Sequence, residues 1–307
     1  MPQVATAAPS GRQYALVFED QHAVVTEVGA GLRTYTHAGF DIIDGYAEDE
    51  MCSFGRGQVL APWPNRLEDG RYDFAGKSHQ LAISEVGTST AIHGLVRWTP
   101  WTAERLSDAA MRLTLRLYPQ PGYPFALDLA LRYVLGPKGL GVRLDATNAG
   151  SEPCPFGAGF HPYLRVGPSE MDSVTLTCPA RSYLKADARG LPVEEAPVKG
   201  TPFDFTRPRQ IDKLQLDHAF TGLAREADGK ARVHLRDDAE RETVLWVDVA
   251  YGYLMLFTGD TIPGFDRRSI AIEPMTCPPN AFRTGESLIV LAQGESFSCE
   301  WGIDPGL

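Results

Sequence analysis

Phe125-Ala126-Leu127-Asp128-Leu129-Ala130-Leu131-Arg132-Tyr133-Val134-Leu135 is the stretch that decides the fold class. Phe125, Leu127, Leu129, Leu131, Tyr133 and Leu135 take alternate positions, and Asp128 and Arg132 lie between them. Side chains of an extended chain point alternately to opposite faces, so this period of two describes a half-buried strand. Upstream, Met111, Leu113, Leu115 and Leu117 alternate with Arg112, Thr114 and Arg116. Downstream, Val142 and Leu144 alternate with Arg143 and Asp145, and the period returns at Leu245, Val247 and Val249. Pro119 to Pro124 with Gly122, then Gly136-Pro137-Lys138-Gly139, then Asn148-Ala149-Gly150 supply turns between the runs. Strands so closely spaced predict antiparallel meanders.

No apolar stripe of period 3.6 is sustained anywhere, which predicts few and short helices. The expected fold is therefore all-β, a large antiparallel β-sandwich. The 30 glycines and 23 prolines fit many turns but cluster nowhere as a linker. One domain is expected over residues 13–307, after a disordered tail at residues 1–12. The segment Ser182 to Phe205, rich in Pro, Gly and charge, reads as a long loop.

With 43% hydrophobic and 22% charged residues, the chain can bury a sizeable core. Its net charge of −10 argues against nucleic acid or an anionic membrane surface as a partner. Cys52, Cys154, Cys178, Cys277 and Cys299 are odd in number and scattered, without CxxC or Cys/His zinc spacing. They read as reduced thiols. With no secretory signal pattern and no membrane-spanning apolar run, a cytoplasmic location is expected.

Four segments place polar residues among Gly, Pro and aromatic residues, where the loop ends of a β-scaffold hold ligands. They are Ala61-Pro62-Trp63-Pro64-Asn65-Arg66-Leu67-Glu68-Asp69-Gly70 running on to His93-Gly94, Gly157-Ala158-Gly159-Phe160-His161-Pro162-Tyr163-Leu164, Leu216-Asp217-His218, and Ile272-Glu273-Pro274-Met275-Thr276. In this order they resemble the aldose 1-epimerase, or galactose mutarotase, family. The matching pieces are Asn65-Arg66-Leu67 with Asp69-Gly70, His93-Gly94, the Gly-x-His-Pro-Tyr run, Asp217 and the Glu273 segment. The resemblance implies a galactose mutarotase-like supersandwich in which His161 is the general acid and Glu273 the general base. It assigns Arg66, His93, Asp217 and Asn65 to sugar binding. The substrate implied is a free aldohexose such as glucose or galactose, handled by a monomer or homodimer with no metal and no cofactor. Three positions depart from the family pattern: Leu95 stands for a second glycine, Ser84 for an asparagine and Met255 for a glutamine that contacts the sugar.

The residue types suit that chemistry on their own. Opening a cyclic hemiacetal needs a base for the anomeric hydroxyl proton and an acid for the ring oxygen. A carboxylate and an imidazole, with reference pKa values of about 4.3 and about 6.5, divide those roles. Arg66 offers a fork of donors, Asp217 accepts from vicinal hydroxyls, and His93 does either. Trp63, Tyr72, Trp98, Trp101 and Phe282 are candidates for stacking on the sugar.

Each residue also has a plainer reading. His161 can tie a turn together, and Glu273, set between Ile272 and Pro274, can lie on the solvent face of a strand. Arg66 can form a surface ion pair, Asp217 can cap a turn, His93 can orient its loop, and the tryptophans can be core. His218, His22, His37, His79 and His234 lack the company of metal ligands and read as bystanders. Two other functions fit the same fold: a hexose-6-phosphate 1-epimerase using Arg56, Arg71, Lys77 or Arg97 for phosphate, and a non-catalytic carbohydrate-binding or sugar-sensing protein. A glycoside hydrolase fits less well, because it requires two carboxylates and one persuasive candidate is visible. The acid and base are expected on opposite sides of one open cleft.

Overall fold

Leu127, Leu129, Leu131, Tyr133 and Leu135 are all buried in the strand Leu127–Gly136, while Arg132 between them is exposed. The computed structural model, which describes residues 7–265 and 267–306, carries this alternation into a nine-stranded sheet. Strands Ala110–Leu117 and Gly139–Asn148 flank the first one antiparallel, with Leu113 and Leu144 both opposite Leu131. Directly opposed residues share a face, so the apolar positions of the three strands add up to one hydrophobic surface.

An eight-stranded sheet covers that surface. Its central strands are Asp217–Thr221, Tyr253–Phe257 and Ile270–Met275, followed by the short strands Gly159–Phe160 and Val59–Leu60. Phe160 of this sheet meets Trp301 of the other with ring centroids 5.1 Å apart. One apolar cluster joins both sheets, from Leu16 to Ile303. The antiparallel β-sandwich expected from the sequence is thus the fold. Among the described residues the helical pieces are Ala281–Thr284 and the 3-10 turns Val86–Thr88 and Met171–Ser173. None is long and apolar enough to cross a membrane.

Two expectations need correction. Ser182 to Phe205 is not a long loop: Ser182–Ala186 and Pro192–Pro197 pair as a hairpin at the edge of the eight-stranded sheet. Its prolines sit in the edge strand, where a missing N–H costs no ladder bond. Val249 lies beyond the end of strand Glu242–Val247 and is 75% exposed, because the chain turns there. Residues 1–6 of the expected tail lie outside the described residues, and its end packs against the strand that follows residue 20. Ser10 is buried, and the Ser10 and Arg12 carbonyls accept from the N–H groups of Val28 and Glu27.

The strand Ile270–Met275 is buried on both faces. Ile270 and Ile272 face the sandwich core, whereas Ala271 and Met275 join two small apolar clusters on the opposite face. Glu273 lies between those clusters on that outer face, beneath loops that roof the sheet.

Candidate active site

The strand register places the first two groups. Met255 stands opposite Glu273, and on the next strand Asp217 pairs with Phe257, so all four point from the outer face of the sheet. The solvent-face reading of Glu273 had the correct side of the strand. It missed the roof, which leaves Glu273 only 2% exposed.

That roof contains the segment from Ala61 to Arg97. Strand Arg66–Glu68 pairs with Thr90–Ile92, which brings Asn65 beside His93. The His93 N–H donates to the Asn65 carbonyl at 3.0 Å, and the Asn65 N–H donates to Nδ1 of His93 at 3.2 Å. Gly94 passes so close to Ala61 that a Cβ would collide with the Ala61 carbonyl oxygen, and its φ of +71° adds a second reason for glycine. Asn65 is buried, and its side-chain oxygen accepts from the Arg66 N–H at 2.8 Å. It shapes this turn as well as lining the cleft.

His161 follows strand Gly159–Phe160 and is held by its backbone, the His161 N–H donating to the Gln58 carbonyl at 3.1 Å. Its ring stacks on Tyr163 with centroids 4.9 Å apart. Nε2 of His161 lies 3.3 Å from Oε1 of Glu273. Acid and base candidates are therefore side by side, not across the cleft from one another. Nδ1 of His161 and Oε2 of Glu273 are buried with no partner among the described residues.

Arg66, His93, His161, Asp217, Glu273 and Asn65 all line one cleft of about 340 Å³, within the range of small-molecule sites, about 300–1,000 Å³. Burial, and next the Arg97 guanidinium, pushes His161 down to about 3. Burial, and next the charge of Asp217, pushes Glu273 well above the carboxylate range, with Arg66 acting against the shift. Burial, then His161, Arg97 and Arg66, holds His93 well below the usual imidazole range. Asp217 is open to the cleft yet walled by protein, and burial raises its carboxyl. Perturbed groups converging on a concave site are the mark of a functional centre.

Sequence spacing gave no hint that His93, His161 and Glu273 offer ligand atoms within 4.8 Å of one another. Neutral His93 nevertheless makes a poor metal ligand. Its Nδ1 accepts from a backbone N–H, so Nε2 carries the proton and neither nitrogen keeps a free lone pair.

Of the five aromatic candidates only Trp98, half exposed, lines the cleft. Trp63 and Tyr72 pack on Phe282 with centroids 5.5 and 5.1 Å away, and Trp101 is in the main core. Phe54, Tyr163 and Phe257 line the cleft instead. Of the phosphate candidates, Arg97 alone lines it. Arg71 and Lys77 lie on the hairpin Arg71–Phe74/Lys77–Gln80, and Arg56 is buried in a pair with Asp44 at 3.3 Å. Glu85 also lines the cleft and carries no sequence signal beyond being an acid in a loop.

The chain matches the family model described as Aldose 1-epimerase over residues 13–303. It is 32% identical over 300 residues to the uncharacterized protein YihR of Escherichia coli (strain K12), covering 95% of this chain and 93% of that one. It is 27% identical over 241 residues to galactose mutarotase of Homo sapiens, covering 74% of this chain and 68% of that one. The crystal structure of galactose 1-epimerase from Lactobacillus acidophilus NCFM superposes with a TM-score of 0.79 at 23% identity, over 95% of this chain and 94% of that one. With the family match running through both sheets and every wall of the cleft, this chain belongs to the aldose 1-epimerase family.

Proposed function

We propose that this protein is a cytoplasmic mutarotase that interconverts the α and β anomers of a free aldohexose such as glucose or galactose, without metal or cofactor. The observation that carries this reading is the contact between His161 and Glu273, both buried, in a cleft also lined by Arg66, His93 and Asp217. The anomeric oxygen and the ring oxygen are bonded to the same carbon. An acid and a base that serve them must therefore stand next to each other, and a 3.3 Å separation suits that demand.

Glu273 as carboxylate takes the anomeric hydroxyl proton, and the O–H electron pair becomes the carbonyl π bond. The bond from the anomeric carbon to the ring oxygen breaks, and the ring oxygen takes a proton from the His161 imidazolium. Rotation about the bond between the carbonyl carbon and its neighbour presents the other carbonyl face. Reclosure runs both transfers backwards. The reaction needs one proton on the pair, and burial favours the uncharged arrangement with that proton on Glu273. Moving it to His161 changes no proton count.

Arg66 and His93 donate to sugar oxygens, Asp217 accepts from hydroxyls, and Trp98 or Phe257 covers a C–H face. The phosphorylated-substrate alternative has less support, since Arg97 is its only candidate in the cleft. Polarimetry or NMR on freshly dissolved glucose, galactose, other aldoses and glucose 6-phosphate tests the reading. Faster equilibration of at least one free aldose is expected, whereas acceleration of the phosphate ester alone would replace this proposal with the alternative.

A further inference from the structure

Arg66 is the one sugar-binding candidate whose side chain is long, flexible and already committed to a partner. Its Nε lies 2.8 Å from Oε2 of Glu85, and Nη2 lies 3.1 Å from Oε1, a two-point clasp. Oε2 of Glu85 also accepts from the Thr88 hydroxyl at 2.6 Å and the Thr90 hydroxyl at 2.8 Å. Burial works to raise the Glu85 carboxyl, but the hydrogen bonds from Arg66 and Thr88 outweigh it and hold it below the usual range. Glu85 is thus a charged anchor fixed on one side by threonines and on the other by the guanidinium, and among the described residues no carboxylate bonds Nη1 of Arg66.

A second element closes the back of the same guanidinium. The turn of the hairpin Ser182–Ala186/Pro192–Pro197 reaches across to the 85–90 turn. There Nε of Arg189 donates to the Thr88 carbonyl at 2.9 Å, and Nη2 donates to Asp69 at 2.7 Å and to the Ser89 carbonyl at 3.1 Å. Next to it Gly190, at φ +74°, lies flat against Arg66, where a Cβ would stand 2.6 Å from Nη1. The anchor and the back wall are therefore tied to each other and to one side chain.

We infer that Glu85 is a positioning residue that acts on the substrate only through Arg66, holding the guanidinium toward the cleft before the sugar arrives. The inference rests on the mutarotase reading. An arginine ordered in advance does not lose its rotamer freedom when ligand binds, so the clasp favours binding more than chemistry. It also keeps the guanidinium from turning onto Asp217 or Glu273, the two other cleft carboxyls whose charges act on it.

The test is a double-mutant cycle on the full-length protein with the best free aldose. Glu85→Gln is expected to raise KM about 10-fold, the scale of a hydrogen bond to a charged group, and to change kcat less than about 3-fold. In an Arg66→Ala background the same substitution is expected to change neither constant, because the residue it acts through is gone. Equal effects of Glu85→Gln in both backgrounds, or a fall in kcat with KM unchanged, would overturn the inference. If Glu85→Gln fails to fold, Thr88→Val loosens the anchor from its far side and is expected to raise KM in the wild-type background alone. A wild-type protein inactive on every aldose would remove the mutarotase reading. The positioning role would then be decided by the crystal structure of Glu85→Gln, where an Arg66 guanidinium in its original place would end it.

Discussion

At the scale of single residues, the proposed mechanism has burial turn His161 and Glu273 into a proton-transfer pair. Glu273→Gln keeps size and hydrogen bonding but removes the carboxylate proposed as base, and His161→Asn removes the proposed donor to the ring oxygen. Each is expected to lower kcat by about 10²–10⁴-fold with little change in sugar affinity. Polarimetric rates beside calorimetric binding would check this, and more than about a tenth of wild-type turnover in Glu273→Gln would remove its role as base. The pair holds one proton in its working state, so it titrates as a unit. Activity is lost on the acid side when a second proton enters and on the alkaline side when the single proton leaves. Burial moves the first event down, toward the His161 value of about 3, and the second up, with the raised Glu273 carboxyl. A wide plateau of kcat/KM through neutral pH follows. Limbs at the unshifted values of about 4.3 and about 6.5 would show that burial moves neither group. The identities of His161 and Glu273 were legible because their motifs are local. The partners that tune them, Arg97 and Asp217, come from other strands and loops, and no spacing rule reports them.

At the scale of elements, strands were legible wherever one face is buried and the other wet, as in Leu127–Gly136. The strand Ile270–Met275 is covered on both faces, so its alternation loses meaning, and the plainer reading of Glu273 places it at the solvent although it is buried. The hairpin Ser182–Ala186/Pro192–Pro197 was hidden for the opposite reason: Val193, Glu194 and Glu195 of its edge strand are all exposed, leaving little hydrophobic pattern to read. Leu131→Ala in the core strand is expected to cost about 2–5 kcal/mol of stability, measured by urea denaturation, with KM unchanged. Gly94→Ala is expected to act differently. It forces a Cβ into the Ala61 carbonyl, shifts the loop that carries His93, and so raises KM as well as lowering stability. An alanine variant with wild-type KM would show that the close approach of Ala61 and Gly94 does not place His93.

At the scale of the whole molecule, one apolar cluster links the two sheets, and the cleft lies between the outer face of the eight-stranded sheet and the loops that cover it. The single-domain proposal for residues 13–307 predicts one cooperative thermal transition, with near- and far-ultraviolet circular dichroism superimposing. Two resolved transitions would divide the chain. The proposed chemistry is proton transfer alone, so exhaustive EDTA treatment is expected to leave mutarotation intact, and loss restored by one added metal would contradict it. By itself the sequence determined the all-β class and the sandwich, and singled out His161 and Glu273 as the proposed acid and base, because periodicity and short motifs depend on neighbours along the chain. Only the tertiary structure decided that His161 and Glu273 touch, that Trp98 rather than Trp63 or Tyr72 lines the cleft, and that Glu85 clasps Arg66. Those relations join residues on separate strands and loops, and distance along the chain carries no information about them until both sheets are packed.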